Sequence, residues 1–239
     1  MKQKILIALI LIMSGFQIKA QHTGMYFGGG YNMSSYTNAP LLNSILSEYN
    51  STRPWLTTKM DNNMNSMTGL CFNTGIYIGH FFMDLDWVGR NKETYGEGIS
   101  PSTGLMVRRD LKIRSNTFNS GLGYLVIPYL GFGTSIDFGS VKCLTRVYKS
   151  SDTPPDYTKV AFTDLTCGVS LFALVRIPVS KNGILHIDIK PYYQLMIVRS
   201  NYGYLHDELN GSNIFYEDPG DLRNNFGFEI KLQVGFGNE

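Results

Sequence analysis

The sequence predicts an exported all-β chain that folds as an eight-stranded antiparallel up-and-down transmembrane β-barrel. Three observations carry this. Eight segments alternate apolar and polar residues with period two, the polar connections between them alternate long and short, and a leader precedes them all.

The leader comes first. Lys2 and Lys4 form a short positive region, Ile5 to Met13 is continuously apolar, and Ser14-Gly15 breaks the run. Ile18-Lys19-Ala20 then supplies a small residue for cleavage before Gln21. This order is that of a secretory signal peptide, and the run is too short to anchor the chain across a bilayer. The expected organisation is therefore a signal peptide over 1–20 and one barrel domain over 21–239.

The strands follow. In 24–33, Met25, Phe27 and Tyr31 oppose Tyr26, Gly28 and Gly30; in 68–78, Leu70, Phe72, Ile76 and Ile78 share a face. In 81–87, Phe81, Met83, Leu85 and Trp87 alternate with Phe82, Asp84 and Asp86. Segment 109–125 changes parity: Leu111 and Ile113 are odd, while Phe118, Leu122 and Tyr124 are even, which predicts a bulge between them. In 130–138, Leu130, Phe132, Ile136 and Phe138 oppose Gly131, Gly133, Ser135 and Asp137. In 164–177, Leu165, Val169, Leu171, Ala173, Val175 and Ile177 oppose Asp164, Thr166, Gly168, Ser170 and Arg176. Segments 184–198 and 225–236 give the cleanest alternation, with His186, Asp188, Lys190, Tyr192 and Gln194, then Asn225, Gly227, Glu229, Lys231 and Gln233, on the polar faces.

Long polar stretches fall at 34–66, 90–106, 142–162 and 200–222, and short ones near 79–80, 126–128 and 179–183. Long surface loops at one end and tight turns at the other are the layout of a membrane barrel, whose closure leaves no unpaired edge in lipid. Within the first loop, Leu41, Leu42, Ile45, Leu46 and Tyr49 recur at helical spacing after Pro40, which predicts a short helix. Pro154-Pro155 makes the third loop irregular, and the fourth, with Pro219-Gly220, is the most polar.

Alternation does not say which face is inside. In a soluble ligand-binding barrel the apolar face turns inward; in a membrane barrel it turns out. Here the apolar face is built of large Phe, Leu and Ile, and the other is rich in Gly, Ser and Thr, as a narrow packed lumen requires. Aromatic residues near strand ends (Trp87, Tyr124, Tyr129, Tyr192, Tyr193) suit interfacial girdles. Charged residues make up only 17% of the chain, against about 25% in soluble domains, and this deficit also favours the membrane version.

The mature chain is similar in its construction to a known group. Gly121-Leu122-Gly123-Tyr124, Pro128-Tyr129-Leu130-Gly131-Phe132-Gly133, Pro191-Tyr192-Tyr193-Gln194, Asn225-Phe226-Gly227 and Lys231-Leu232-Gln233 resemble the eight-stranded outer-membrane β-barrel domain family, the PorT-like and OmpA-like group. The resemblance implies a bacterial outer-membrane location and this fold. It carries over no catalytic residue. One departure is the tail Gly237-Asn238-Glu239 after Phe236, where many such barrels end on an aromatic.

Chemistry is sparse. A net charge of +2 with no basic block excludes a nucleic-acid partner, and no motif implies a cofactor or a resident metal. Cys71, Cys143 and Cys167 lack metal spacing; three unbridged thiols, buried or facing lipid, are expected, although one disulfide stays open. His80, beside a turn, and His206 with Asp207 and Glu208, in a polar loop expected to be solvated, are the candidates for a membrane-embedded lipid-modifying hydrolase. The candidate site is instead the lumen. Asp84, Asp86, Asp137, Asp164, Asp188 and Glu229 face Arg176, Lys190 and Lys231, with His186 nearby. Buried charges must pair, so these residues are expected to form a network that closes the barrel and fixes register. The function that follows is a structural, adhesion or assembly role. Outer-membrane lipid is the expected surrounding, and any protein partner is expected at 34–66 and 200–222. A lipid-modifying hydrolase and a soluble ligand-binding barrel are the alternatives.

Overall fold

The computed structural model describes residues 23–36, 40–180, 184–211, 220–221 and 223–237. The expected leader over 1–20 lies outside them, as do residues 181–183 and 212–219.

Eight long strands close into one ring: β1 (Gly24–Tyr36), β3 (Ser66–Ile78), β4 (Phe81–Ile99), β5 (Met106–Ile127), β6 (Leu130–Lys149), β7 (Thr158–Pro178), β8 (Leu185–Met196) and β11 (Asn225–Gly237). Each pairs antiparallel with its neighbour, and β11 closes on β1 from Gly24↔Gly237 to Tyr36↔Asn225. The fold is therefore an eight-stranded antiparallel up-and-down barrel. Closure gives every one of these strands a paired neighbour on both sides, so no open edge faces the bilayer.

The faces are those of a transmembrane barrel. Phe27, Phe72, Phe81, Leu85, Phe118, Leu122, Phe132, Leu171, Phe226 and Leu232 stand outward and exposed. Their neighbours Asp86, Asn119, Asp137, Ser170, Asp188 and Lys231 are buried inside. Large apolar side chains outside and charge inside are stable only where lipid surrounds the wall. Tyr192 points into the lumen and is 6% exposed, as its place on the polar face of 184–198 implies and not as a girdle aromatic.

The strands do not stop at the edge of the apolar band. The stretches 90–106 and 142–162, read as loops from their polarity, are mostly ladder: β4 and β5 pair out to Ile99↔Met106, and β5 and β6 out to Val107↔Lys149. The physical reason is a reversal of surroundings. Beyond the band the outer face meets water and becomes polar, while the inner face becomes apolar.

That reversal also removes the expected bulge. β5 keeps one parity from Leu111 to Leu125, with odd residues inward, and its register is unbroken there. Leu111 and Ile113 are fully buried inside the barrel rather than turned to lipid.

A dome occupies the long-loop end. Helix α1 (Pro40–Ser51) forms where the sequence predicts it, with Pro40 in its first turn, where a missing N–H costs nothing. Strand β2 (Leu56–Thr58) follows, pairing with β4. In the last loop, β9 (Ser200–Asn201) and β10 (Gly220–Asp221) pair, and helix α2 (Gly203–Asn210) ends at Gly211 in the left-handed conformation that favours glycine. Leu42, Ile45, Leu46 and Tyr49 of α1 pack with Met60, Met64 and Met67, with Leu205 and Leu209 of α2, and with Leu111, Ile113, Val141 and Cys143 of the wall.

Candidate functional site

The lumen is filled in three layers. At the short-turn end, Tyr26, Tyr77, Phe82, Leu125, Phe172, Leu174 and Tyr192 form an aromatic floor. Gly123 and Gly133 make room for it: a Cβ on the first would strike the Phe82 ring, and on the second the Phe172 ring. The dome is the apolar roof. Charge lies between.

The register sets the middle layer. β8 and β11 place Glu229 opposite Lys190 and Lys231 opposite Asp188, all inward. Lys190 Nζ donates to Asp86 Oδ2 at 2.5 Å and to Asp84 Oδ2 at 3.2 Å. Lys231 Nζ reaches Asp86 Oδ1 at 2.7 Å and Glu229 Oε2 at 2.9 Å. Asp86 is thus the hub, with each oxygen held by a different ammonium across the lumen.

Other charges sit in smaller sets. Arg176 clamps Asp188 through two parallel bonds, at 3.0 and 3.1 Å, the bidentate geometry that favours Arg over Lys. His186 Nε2 lies 3.7 Å from the same carboxylate. Asp137 accepts from Ser135 at 2.7 Å, from Gln194 at 2.7 Å and from the hydroxyl of Ser170. The side chain of Asp164 lies outside the described residues.

Arg90 belongs to this layer but fell within an expected loop. It is 2% exposed. Its Nε donates to Asn32 Oδ1 at 2.6 Å, Nη1 to Thr117 at 3.3 Å and Nη2 to the Tyr192 hydroxyl at 3.0 Å. Asn32 Nδ2 in turn reaches Glu229 Oε1 at 3.3 Å, linking Arg90 to the hub. Parity was the available signal: Arg90 continues the inward even series Asp84, Asp86, Val88.

The dome is tied down by polar bonds. Asp221 of the last loop accepts from Leu41 N and Leu42 N, each at 3.1 Å, and so caps α1 of the first loop. Arg53 Nη2 donates to Leu209 O at 2.6 Å, joining the far ends of both helices. His206 is not solvated as expected. It is 3% exposed, with Nε2 3.0 Å from Glu48 Oε2 on α1 and Nδ1 3.7 Å from Asp207. His80 lies at the opposite end, its Nδ1 3.0 Å from Leu125 O. The two histidines therefore do not share a site.

The thiols are unbridged. Cys71 and Cys143 point inward and Cys167 is half-buried on the outer face. Cys143 lies on the wall under the dome, fully buried.

The fold and its interior define a transmembrane β-barrel with a packed lumen. No protein-family model matches the chain, and no curated protein sequence is similar to it. Among solved structures it is similar in fold to Ail, the attachment invasion locus protein of Yersinia pestis, solved with the heparin analogue sucrose octasulfate: 10% identity over 90% of this chain and 97% of that one, TM-score 0.41. It is similar to Neisserial surface protein A at 8% identity over 92% and 99%, TM-score 0.37. It is similar to the outer membrane protease OmpT of Escherichia coli at 8% identity over 93% and 99%, TM-score 0.34.

Proposed function

We propose that this chain is exported by its leader to a bacterial outer membrane. There it forms a closed barrel of the PorT-like and OmpA-like kind and acts as a structural, adhesion or assembly component through the dome on its outer end. One observation carries the reading: the long-loop end is a packed apolar core sealed onto the wall, above a lumen crossed by the Lys190–Asp86 and Lys231–Asp86 ion pairs. A conduit would need continuous water along that axis. A barrel that instead presents a rigid, ordered surface is built for contact. The solvent-facing residues of α1, α2 and the β4–β5 hairpin are the surface on offer, and lipid surrounds the apolar wall.

The test is topology in intact cells. In a Cys167→Ser background, Tyr204→Cys places a thiol on the exposed face of α2, and Val179→Cys places one at the short-turn end. A membrane-impermeant maleimide should label the first in intact cells and the second only after the envelope is opened. Recovery of the protein in the soluble fraction, or the reverse labelling order, overturns the proposal.

A further inference from the structure

Between the dome and the charged layer lies a cavity of about 20 Å³ lined by two arginines, Arg90 and Arg223. Arg223 precedes β11 and is 3% exposed. Its guanidinium sits 3.9 Å above the ring of Tyr36, and Nη2 points at Met67 Sδ, 3.3 Å away. Its Nε and Nη1 have no hydrogen-bond partner, and among the described residues no carboxylate pairs with it. Asp221, two residues earlier, has both oxygens engaged on the N-terminus of α1. Arg90 uses three N–H groups on Asn32, Thr117 and Tyr192, out of the five that a guanidinium carries. Tyr36 faces both cations. Ser115 and Thr166 add hydroxyls to the walls.

A buried cation without a counter-charge is costly, and unused buried donors add to that cost. Arg223, with its two unused donors, and Arg90, tied to Glu229 only through Asn32, line one partly enclosed space and make it an anion site. Its size selects the anion. A single water needs about 10–15 Å³ of such space, so this cavity takes one atom-sized ligand and not a tetrahedral oxyanion.

We propose that the cavity binds one monoatomic anion of the halide class, held between the guanidinium groups of Arg90 and Arg223. The bound ion joins Arg223, in the segment returning from the dome, to Arg90 on the barrel wall. The site stands on this geometry alone and holds whether or not the lumen conducts.

The test compares heat unfolding of the refolded chain in detergent, in sodium chloride and in sodium gluconate at equal ionic strength. Chloride at tenfold excess over its dissociation constant should raise the midpoint by roughly 3 to 6 °C. Arg223→Gln should abolish that difference. Equal midpoints for the unaltered chain in the two salts, or an equal chloride gain in Arg223→Gln, would overturn the site. Bromide-soaked crystals of the unaltered chain give a reading independent of any variant. An anomalous peak in the cavity is expected; a water with no anomalous signal at saturating bromide overturns the proposal.

Discussion

Replacing Asp86 by alanine removes the hub of the lumen. The carboxylate is fully buried and accepts from Lys190 at 2.5 Å and Lys231 at 2.7 Å. After the substitution Lys190 keeps only Asp84, at 3.2 Å, and Lys231 keeps only Glu229, at 2.9 Å. Two ammonium groups then share a space from which their common counter-ion has gone. Breaking a buried ion pair by deleting one partner costs about 3–5 kcal/mol, chiefly because the survivor is left uncompensated. Asp86→Ala should therefore lose about that much in urea unfolding of the refolded protein in lipid vesicles, followed by tryptophan fluorescence. The double variant Asp86→Ala with Lys231→Met should be less destabilised than the sum of the singles, since it removes one of the stranded charges. A loss below about 1 kcal/mol for Asp86→Ala would show that the network does not bear on stability.

Four further outcomes are expected. Leu46→Ala, at a fully buried position of α1, should cost the dome about 2–5 kcal/mol and expose the long loops to protease while the barrel still migrates as folded on a gel. Asp221→Ala should cost about 1 kcal/mol by uncapping α1, seen as faster hydrogen exchange at Leu41 and Leu42. Asp110 lies on β5 beyond the apolar band. Burial raises its carboxyl, but hydrogen bonds from Arg108, Arg146 and Tyr148 outweigh this and hold it below the ordinary carboxylate range. Its contribution is then present above an unfolded value of about 3.9 and is lost as pH falls through the lower folded value, so Asp110→Asn should flatten the acid end of the stability profile. Gly30→Ala would drive a Cβ into the backbone carbonyl of Ile230 across the β1–β11 seam, and the refolded yield of closed barrel should drop sharply.

What the sequence made legible follows the solvent. Inside the apolar band each strand has lipid on one side and lumen on the other, so period two reports both faces, and Asp84, Asp86, Asp188 and Lys190 are placed inward by counting alone. Beyond the band the rule inverts. Leu111 and Ile113 look lipid-facing by type but lie under the dome, and the outward polar residues from Asn91 onward look like loop but are strand. Arg90 lies at the start of that same inverted stretch. Tyr192 is amphipathic, and the aromatic pattern could not separate a girdle from a floor; its hydroxyl, bound to Arg90 and Asn32, decides for the lumen. Helix α1 was legible because its apolar spacing is helical, but its cap, Asp221, comes from another loop 180 residues away. Pairing across the lumen, such as Lys190 with Asp86, depends on ring closure and is invisible to local pattern.

The closed lumen is the central claim, and single-channel recording in a planar bilayer tests it most directly. The refolded protein should give no current steps above baseline, because the aromatic floor, the paired charges and the dome occupy the axis in series. Stable, reproducible openings from the unaltered protein would contradict it.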